Sequence, residues 1–330
     1  MASDPALLLI AHGTRDPRGA EEMEVLVAHV RDQLAAPVAN AWLEGFAEPA
    51  VDAAVAALVD AGADRVVSVP LLHLGAGHAK TDVPGALAEA RSAHPGLAFS
   101  HGRVLGLHSG LFALARRRVD AVSPPGGRAG EVLVVAGGGG GGEGDDQETG
   151  ERRLCLFPPS PSPPPPHPNG DLAKAARFLA EGTGHRWAEH CFAGVTWPKP
   201  AAVLRRVAAA GGSKVILFSW SLLAGLLEQR VAEAADEVAR ETGLEMVDAG
   251  RFGPDPAVAD VVLDRYREAL TGDVRANCDL CCYRVPLPGL EQRVGAPSGG
   301  GTGEQVTDPA AAAGPGGDGT PRGASAGRRR

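Results

Sequence analysis

The residues whose types and spacing could do chemistry lie in the first quarter of the chain. His12 follows the apolar run Leu7 to Ile10 and precedes Gly13, so a tight turn can hold its imidazole at a strand's carboxyl end. His73 and His78 follow a second apolar run, Val66 to Pro70, inside the Gly-rich stretch Leu71 to His78. Ligands of open α/β sheets bind at that end of the strands. Two neutral imidazoles with open positions beside them suit a divalent first-row metal, and His12 and His78 are read as sharing one. Glu44 ends a short run, Asn40 to Leu43, and reads equally as a carboxylate base, a metal ligand or a solvated charge. His73, framed by leucines, reads equally as a packed core histidine. His108, after Gly106-Leu107, marks a helix start.

Two further motifs resolve less. Lys80-Thr81 follows Gly75 and Gly77, but Ala79 stands where a phosphate-binding Walker loop needs glycine, which argues against nucleotide hydrolysis. Cys278 and Cys281 form a Cys-x-x-Cys pair beside Cys282. With no second such pair, an iron–sulfur or thiol-bound metal at Cys278 and Cys281 needs Cys155, Cys191 or histidines, or a homodimer that completes the ligands. A reactive thiol pair and an inert one remain open.

The elements that must position these groups alternate. Strands are read at Leu7–Ile10, Asn40–Leu43, Val66–Pro70 and Leu97–His101, and helices at 21–34, 50–61, 86–94 and 109–122. Asp82 and Pro84 suit the start of the third helix, Asp as a cap and Pro in the first turn. The pattern is α/β, a parallel sheet covered on both faces.

The chain then repeats itself. A shift of about 149 positions lays Gly45–Pro49 on Gly194–Pro198 and Val66–Val69 on Val215–Phe218, and a similar shift sets Arg103–Gly106 beside Arg251–Gly253. On this register His78 falls opposite Leu227, His73 opposite Leu222 and Glu44 opposite Ala193; the second copy's opening strand, read at Val132–Val135, runs into Ala136-Gly137-Gly138, where His12-Gly13 would have its partner. Only the first copy keeps its polar groups. Residues 1–125 are thus read as one domain carrying the histidines and 126–275 as a second. Within the second, 137–170, with six successive glycines and a proline run, reads as a disordered insertion, and the next helix starts near Asp171. Residues 276–330 are read as a Cys-containing extension and a disordered tail.

The 330 residues are 44% apolar but only 4% aromatic, so the cores must be built from Ala, Val and Leu. A formal charge of −8 argues against nucleic acid. No run of eighteen apolar residues and no signal-like start is present, so no membrane partner and a cytoplasmic location are expected.

Three segments together resemble the sirohydrochlorin chelatases of the CbiX/SirB type: Leu7–Asp16, Trp42–Pro49 and Val69–Pro84. The stretches Gly194–Pro198 and Asn277–Gly289 are similar to the long, two-domain cobaltochelatase form, and the likeness covers about residues 5–295. It implies an ATP-independent lyase whose two chelatase-like domains face each other across a cleft. It further implies that His12 and His78 bind the incoming Co²⁺, with Glu44 beside them as ligand or base, and pass it to sirohydrochlorin. Arg15, Arg18 and Lys80 lie next to these motifs and could meet the substrate's carboxylates. Fe²⁺ and Ni²⁺ satisfy the same donors, so a ferrochelatase making siroheme, or a metal carrier, are the alternatives.

Overall fold

The computed structural model describes residues 4–45, 47–75, 79, 82–126, 128–139, 167–185, 187–194 and 196–271. Lys80, His78, Cys155, Cys278, Cys281 and most of the expected insertion lie outside them.

The first half contains β1 (Ala6–Ala11), α1 (Pro17–Arg31), β2 (Val38–Trp42), α2 (Val51–Asp60), β3 (Arg65–Pro70), α3 (Val83–Ala93), β4 (Ala98–His101) and α4 (Ser109–Val122). A single 3₁₀ turn leads into the second half. There follow β5 (Glu131–Gly137), α5 (His167–Thr183), β6 (Trp187–Phe192), α6 (Pro200–Ala209), β7 (Lys214–Ser219), α7 (Leu226–Thr242), β8 (Glu245–Arg251) and α8 (Pro256–Thr271). Each half is a four-stranded parallel sheet, ordered β2-β1-β3-β4 and β6-β5-β7-β8. The order is the same in both, as the repeat requires.

Strand periodicity divides the core. In β1, Leu7, Leu9 and Ala11 face one cluster while Ala6, Leu8 and Ile10 face another, the latter covered by Val51, Val55 and Leu58 of α2 and Val83 and Leu87 of α3. In β5, Val132, Val134 and Ala136 meet Val203 and Val207 of α6 and Val231 and Val238 of α7. The inner faces of both sheets share one continuous cluster with α1, α4, α5 and α8. Within it the halves exchange their last helices. The helix α4 packs on β7 and β8, and α8 packs on β3 and β4. Buried and half-buried polar contacts lock this exchange: Arg103 pairs with Glu268 at 2.6 Å, Arg265 donates to Glu268 at 2.8 Å and to the Leu105 carbonyl at 2.5 Å, and Tyr266 donates to the Pro5 carbonyl at 2.6 Å.

Several boundaries differ from the sequence reading. The helix α1 starts at Pro17 rather than Glu21, because the Asp16 carboxylate caps it by accepting the Arg18 N–H at 3.0 Å and Pro17 supplies the first turn. The stretch read as irregular is narrower, since β5 runs on to Gly137 and α5 begins at His167. Asp82 does occupy the N-cap position of α3, but its side chain makes no capping hydrogen bond. His108 does cap α4, its Nδ1 accepting the Gly110 N–H at 3.0 Å.

Candidate active site

The carboxyl ends of β1, β3, β5 and β7 open onto one cleft of about 530 Å³. Its floor is Ala11, Trp42, Leu71, Ala136 and Trp220; His12, Glu44, Arg15 and His73 line it from the first half, and Gly138, Leu223, Leu226, Leu227 and Arg230 from the second. Of the sequence candidates the structure describes, four therefore reach one cavity.

His12 and Glu44 come together because β1 and β2 are adjacent and in register. The pairing of Ala11 with Trp42 continues past the strand ends, where the Glu44 N–H donates to the His12 carbonyl at 3.0 Å. The side chains then converge, with His12 Nε2 3.3 Å from Glu44 Oε1 and both partly exposed to the cleft. Such a separation suits two ligands of one ion: with metal–ligand bonds of about 2.1 Å the two donors subtend roughly 100°, compatible with tetrahedral or octahedral coordination. Gly13 makes the approach feasible. Its φ is +134°, and a Cβ there would lie 3.1 Å from the Glu44 Cβ.

The second half cannot repeat this arrangement. Backbone hydrogen bonds match the pair His12–Glu44 to Gly138–Gly194, the Gly194 N–H donating to the Gly138 carbonyl at 2.8 Å. The counterpart of Glu44 is thus Gly194 and not Ala193, because the loop from strand to proline is one residue shorter in the second copy. A Cβ on Gly194 would sit 2.3 Å from the Gly138 carbonyl oxygen, so no side chain fits there.

His73 stands at the cleft floor with its ring centroid 5.6 Å from that of Phe252. Its Nδ1 is sealed from solvent with no hydrogen-bond partner, and burial pushes the imidazole down to about 4, so it is neutral at physiological pH. Trp220 Nε1 is likewise buried and unpartnered, its ring 4.9 Å from Phe252. Two of the four such atoms among the described residues thus lie at the cleft, the other two being His185 Nε2 and Arg265 Nε elsewhere. Arg18 leaves the candidate set: it pairs with Asp16 at 2.6 Å and does not line the cleft. That pair, with a further bond from Gln229 at 3.2 Å, holds the Asp16 carboxyl down to about 2. Arg230 was not singled out by any sequence pattern; only its spacing from Leu226 and Leu227 on one helix could have pointed to it.

Among the described residues no three His, Cys, Asp or Glu side chains gather as a metal site. The imidazole–carboxylate pair is the donor set on view, and His78 falls outside the described residues.

A doubled parallel α/β chain whose strand ends frame a ligand-sized cleft, with an imidazole–carboxylate pair on the wall of the first half, is the architecture of a two-half chelatase. The CbiX family model matches residues 6–122 and 164–269, and the chain belongs to that family. A sirohydrochlorin cobaltochelatase of Priestia megaterium is 29% identical over 283 residues, covering 86% of this chain and 85% of the relative. A sirohydrochlorin ferrochelatase of Bacillus subtilis is 27% identical over 39% of this chain and 49% of its own length. The fold is that of SirB from Bacillus subtilis, solved with Fe³⁺, at a TM-score of 0.66 and 21% identity, covering 82% of this chain and 99% of that one.

Proposed function

We propose that the protein inserts Co²⁺ into sirohydrochlorin without a nucleotide. The observation that carries this is the His12–Glu44 pair, 3.3 Å apart and open to the cleft, in a chain of the CbiX family. The metal is a substrate here. His12 and Glu44 hold it, with His78 as a further ligand placed by sequence. As metal–nitrogen bonds form, the macrocycle gives up two pyrrole protons, and an imidazole or carboxylate released by the departing ion accepts them. Arg15 at the cleft wall, and Lys80 by its sequence position, suit the peripheral carboxylates of the substrate.

Cobalt is favoured over iron because the likeness to the cobaltochelatase runs through both halves, whereas that to the ferrochelatase covers about half of it. The donors themselves accept either ion. A simple carrier has no use for a cavity of about 530 Å³, a size that fits an organic ligand. One chain supplies both walls, so the reading needs no second copy. Among the described residues no helix is long and apolar enough to cross a membrane.

The test is a metal-insertion assay on the purified chain, following sirohydrochlorin absorbance with Co²⁺, Fe²⁺ or no metal and without ATP. Insertion of Co²⁺ faster than in the protein-free control supports the proposal; a larger acceleration with Fe²⁺ replaces cobalt by iron. No acceleration with either metal refutes it.

A further inference from the structure

The wall facing His12 and Glu44 has its own construction. Leu226 and Leu227 open α7 and remain 44% and 40% exposed, both inside the cleft. The other large apolar side chains left exposed among the described residues, Val25, Phe178, Trp197 and Leu270, do not line it. Single exposed leucines need no explanation, but an adjacent pair in a cavity does. Leu227 stands, on the internal repeat, where the first half has His78, and its Cδ1 would lie 3.0 Å from a Cβ on Gly138, the counterpart of His12. Where the first half sets the His12–Glu44 pair, the second sets aliphatic surface, its own lining carboxylate Glu228 being paired with Arg251.

Arg230 follows one turn along the same helix face, three and four residues after the leucines. It lines the cleft and is exposed, and among the described residues no hydrogen bond or ion pair engages it. Its neighbours are otherwise committed: Glu228 binds Arg251 at 3.0 Å and Gln229 binds Asp16. The helix start is also fixed in place, since Ala224 donates to Glu22 at 2.7 Å and accepts from Thr14 at 3.1 Å. The surface is therefore preorganised.

We infer that this first turn of α7 is the seat of the macrocycle, with Leu226 and Leu227 against its flat apolar face and Arg230 on one of its peripheral carboxylates. The inference rests on the chelatase reading and assigns substrate binding to the half opposite the His12–Glu44 pair. A chain of formal charge −8 repels a polycarboxylate overall, and in the cleft Arg15 and Arg230 supply cations from opposite halves, beside the carboxylates of Glu44 and of Glu228, the latter already paired with Arg251.

The experiment uses the full chain and metal-free sirohydrochlorin, read by quenching of tryptophan emission, since Trp42 and Trp220 line the cleft. Arg230→Glu and Leu227→Asp should each weaken binding by about tenfold and raise KM to match, with kcat within about twofold of wild type. Arg230→Lys should retain most of the affinity, and Co²⁺ binding to the protein alone should be unchanged in all three. Wild-type affinity and KM in both Arg230→Glu and Leu227→Asp would overturn the inference while leaving an active wild type, and with it the chelatase reading, intact. A wild type that neither binds nor metallates sirohydrochlorin removes both.

Discussion

His12 and Glu44 meet at 3.3 Å although 32 positions separate them, because the hydrogen bond from the Glu44 N–H to the His12 carbonyl carries the β1–β2 register one step beyond the sheet. The pair is thus set by backbone geometry, and removing one side chain leaves the other in place. His12→Ala should lower the rate of metal insertion by about 100-fold or more, and Glu44→Gln by about 10- to 100-fold, with circular dichroism and melting temperature close to wild type. Full insertion activity in either variant would remove that side chain from the metal site.

Gly13 is where this geometry is most sensitive. Alanine there must adopt φ near +134° and push against the Glu44 Cβ at 3.1 Å. Gly13→Ala should destabilise the fold by about 1–3 kcal/mol in urea titrations. It should also reduce insertion activity beyond what the lost stability explains, because Glu44 must move. An active, equally stable variant would show that the turn relaxes freely.

The apolar runs made the strands legible: β1, β5 and β7 lie over Leu7–Ile10, Val132–Val135 and Val215–Phe218, β3 lies over Val66–Pro70 despite Ser68, and α4 spans the predicted residues. Starts that rest on capping rather than periodicity were missed, as at α1, where Arg18-Gly19-Ala20 carries little apolar signal but Asp16-Pro17 did announce the turn. The helix exchange had no sequence signal at all. An amphipathic stripe tells that α4 and α8 cover something, not which sheet. His12 and Glu44 could be named because they sit at strand ends. Arg230 could not, since an exposed arginine on a helix looks like any solvated one, and only the cleft distinguishes it. The Glu44 counterpart slipped by one residue because a loop deletion is invisible to a constant shift.

Stability should depend on pH through His73. Burial holds the folded imidazole at about 4, against 6.5 for the ordinary side chain. Between these values the unfolded chain binds more protons, so stability is fully present above about pH 6.5 and falls as the pH drops toward 4. For this residue the loss should approach about 2–3 kcal/mol at the acid end, with smaller contributions of the same sign from His101, His108, His185 and His190, all shifted down mainly by burial. Urea titrations at pH 7.5 and 5 should show the drop, and His73→Phe should remove part of it. An identical slope in that variant would mean that His73 is not the buried neutral group described.

The exchanged helices predict that the two halves melt together. The inner faces of both sheets feed one cluster, and α8 covers β3 and β4 while α4 covers β7 and β8, so neither half can open without stripping the other. Calorimetry of the full chain should give one transition. Glu268 is the test of the lock, because its carboxylate faces both Arg103 and Arg265, and Arg265 is only 2% exposed. Glu268→Ala strands that guanidinium with the Leu105 carbonyl as its remaining partner, an uncompensated buried charge that should destabilise the chain by about 3 kcal/mol. The whole transition should shift down as a unit. Two resolved transitions, or a shift confined to half of the enthalpy, would mean that the halves fold independently and that the shared cluster contributes little to holding the cleft walls in register.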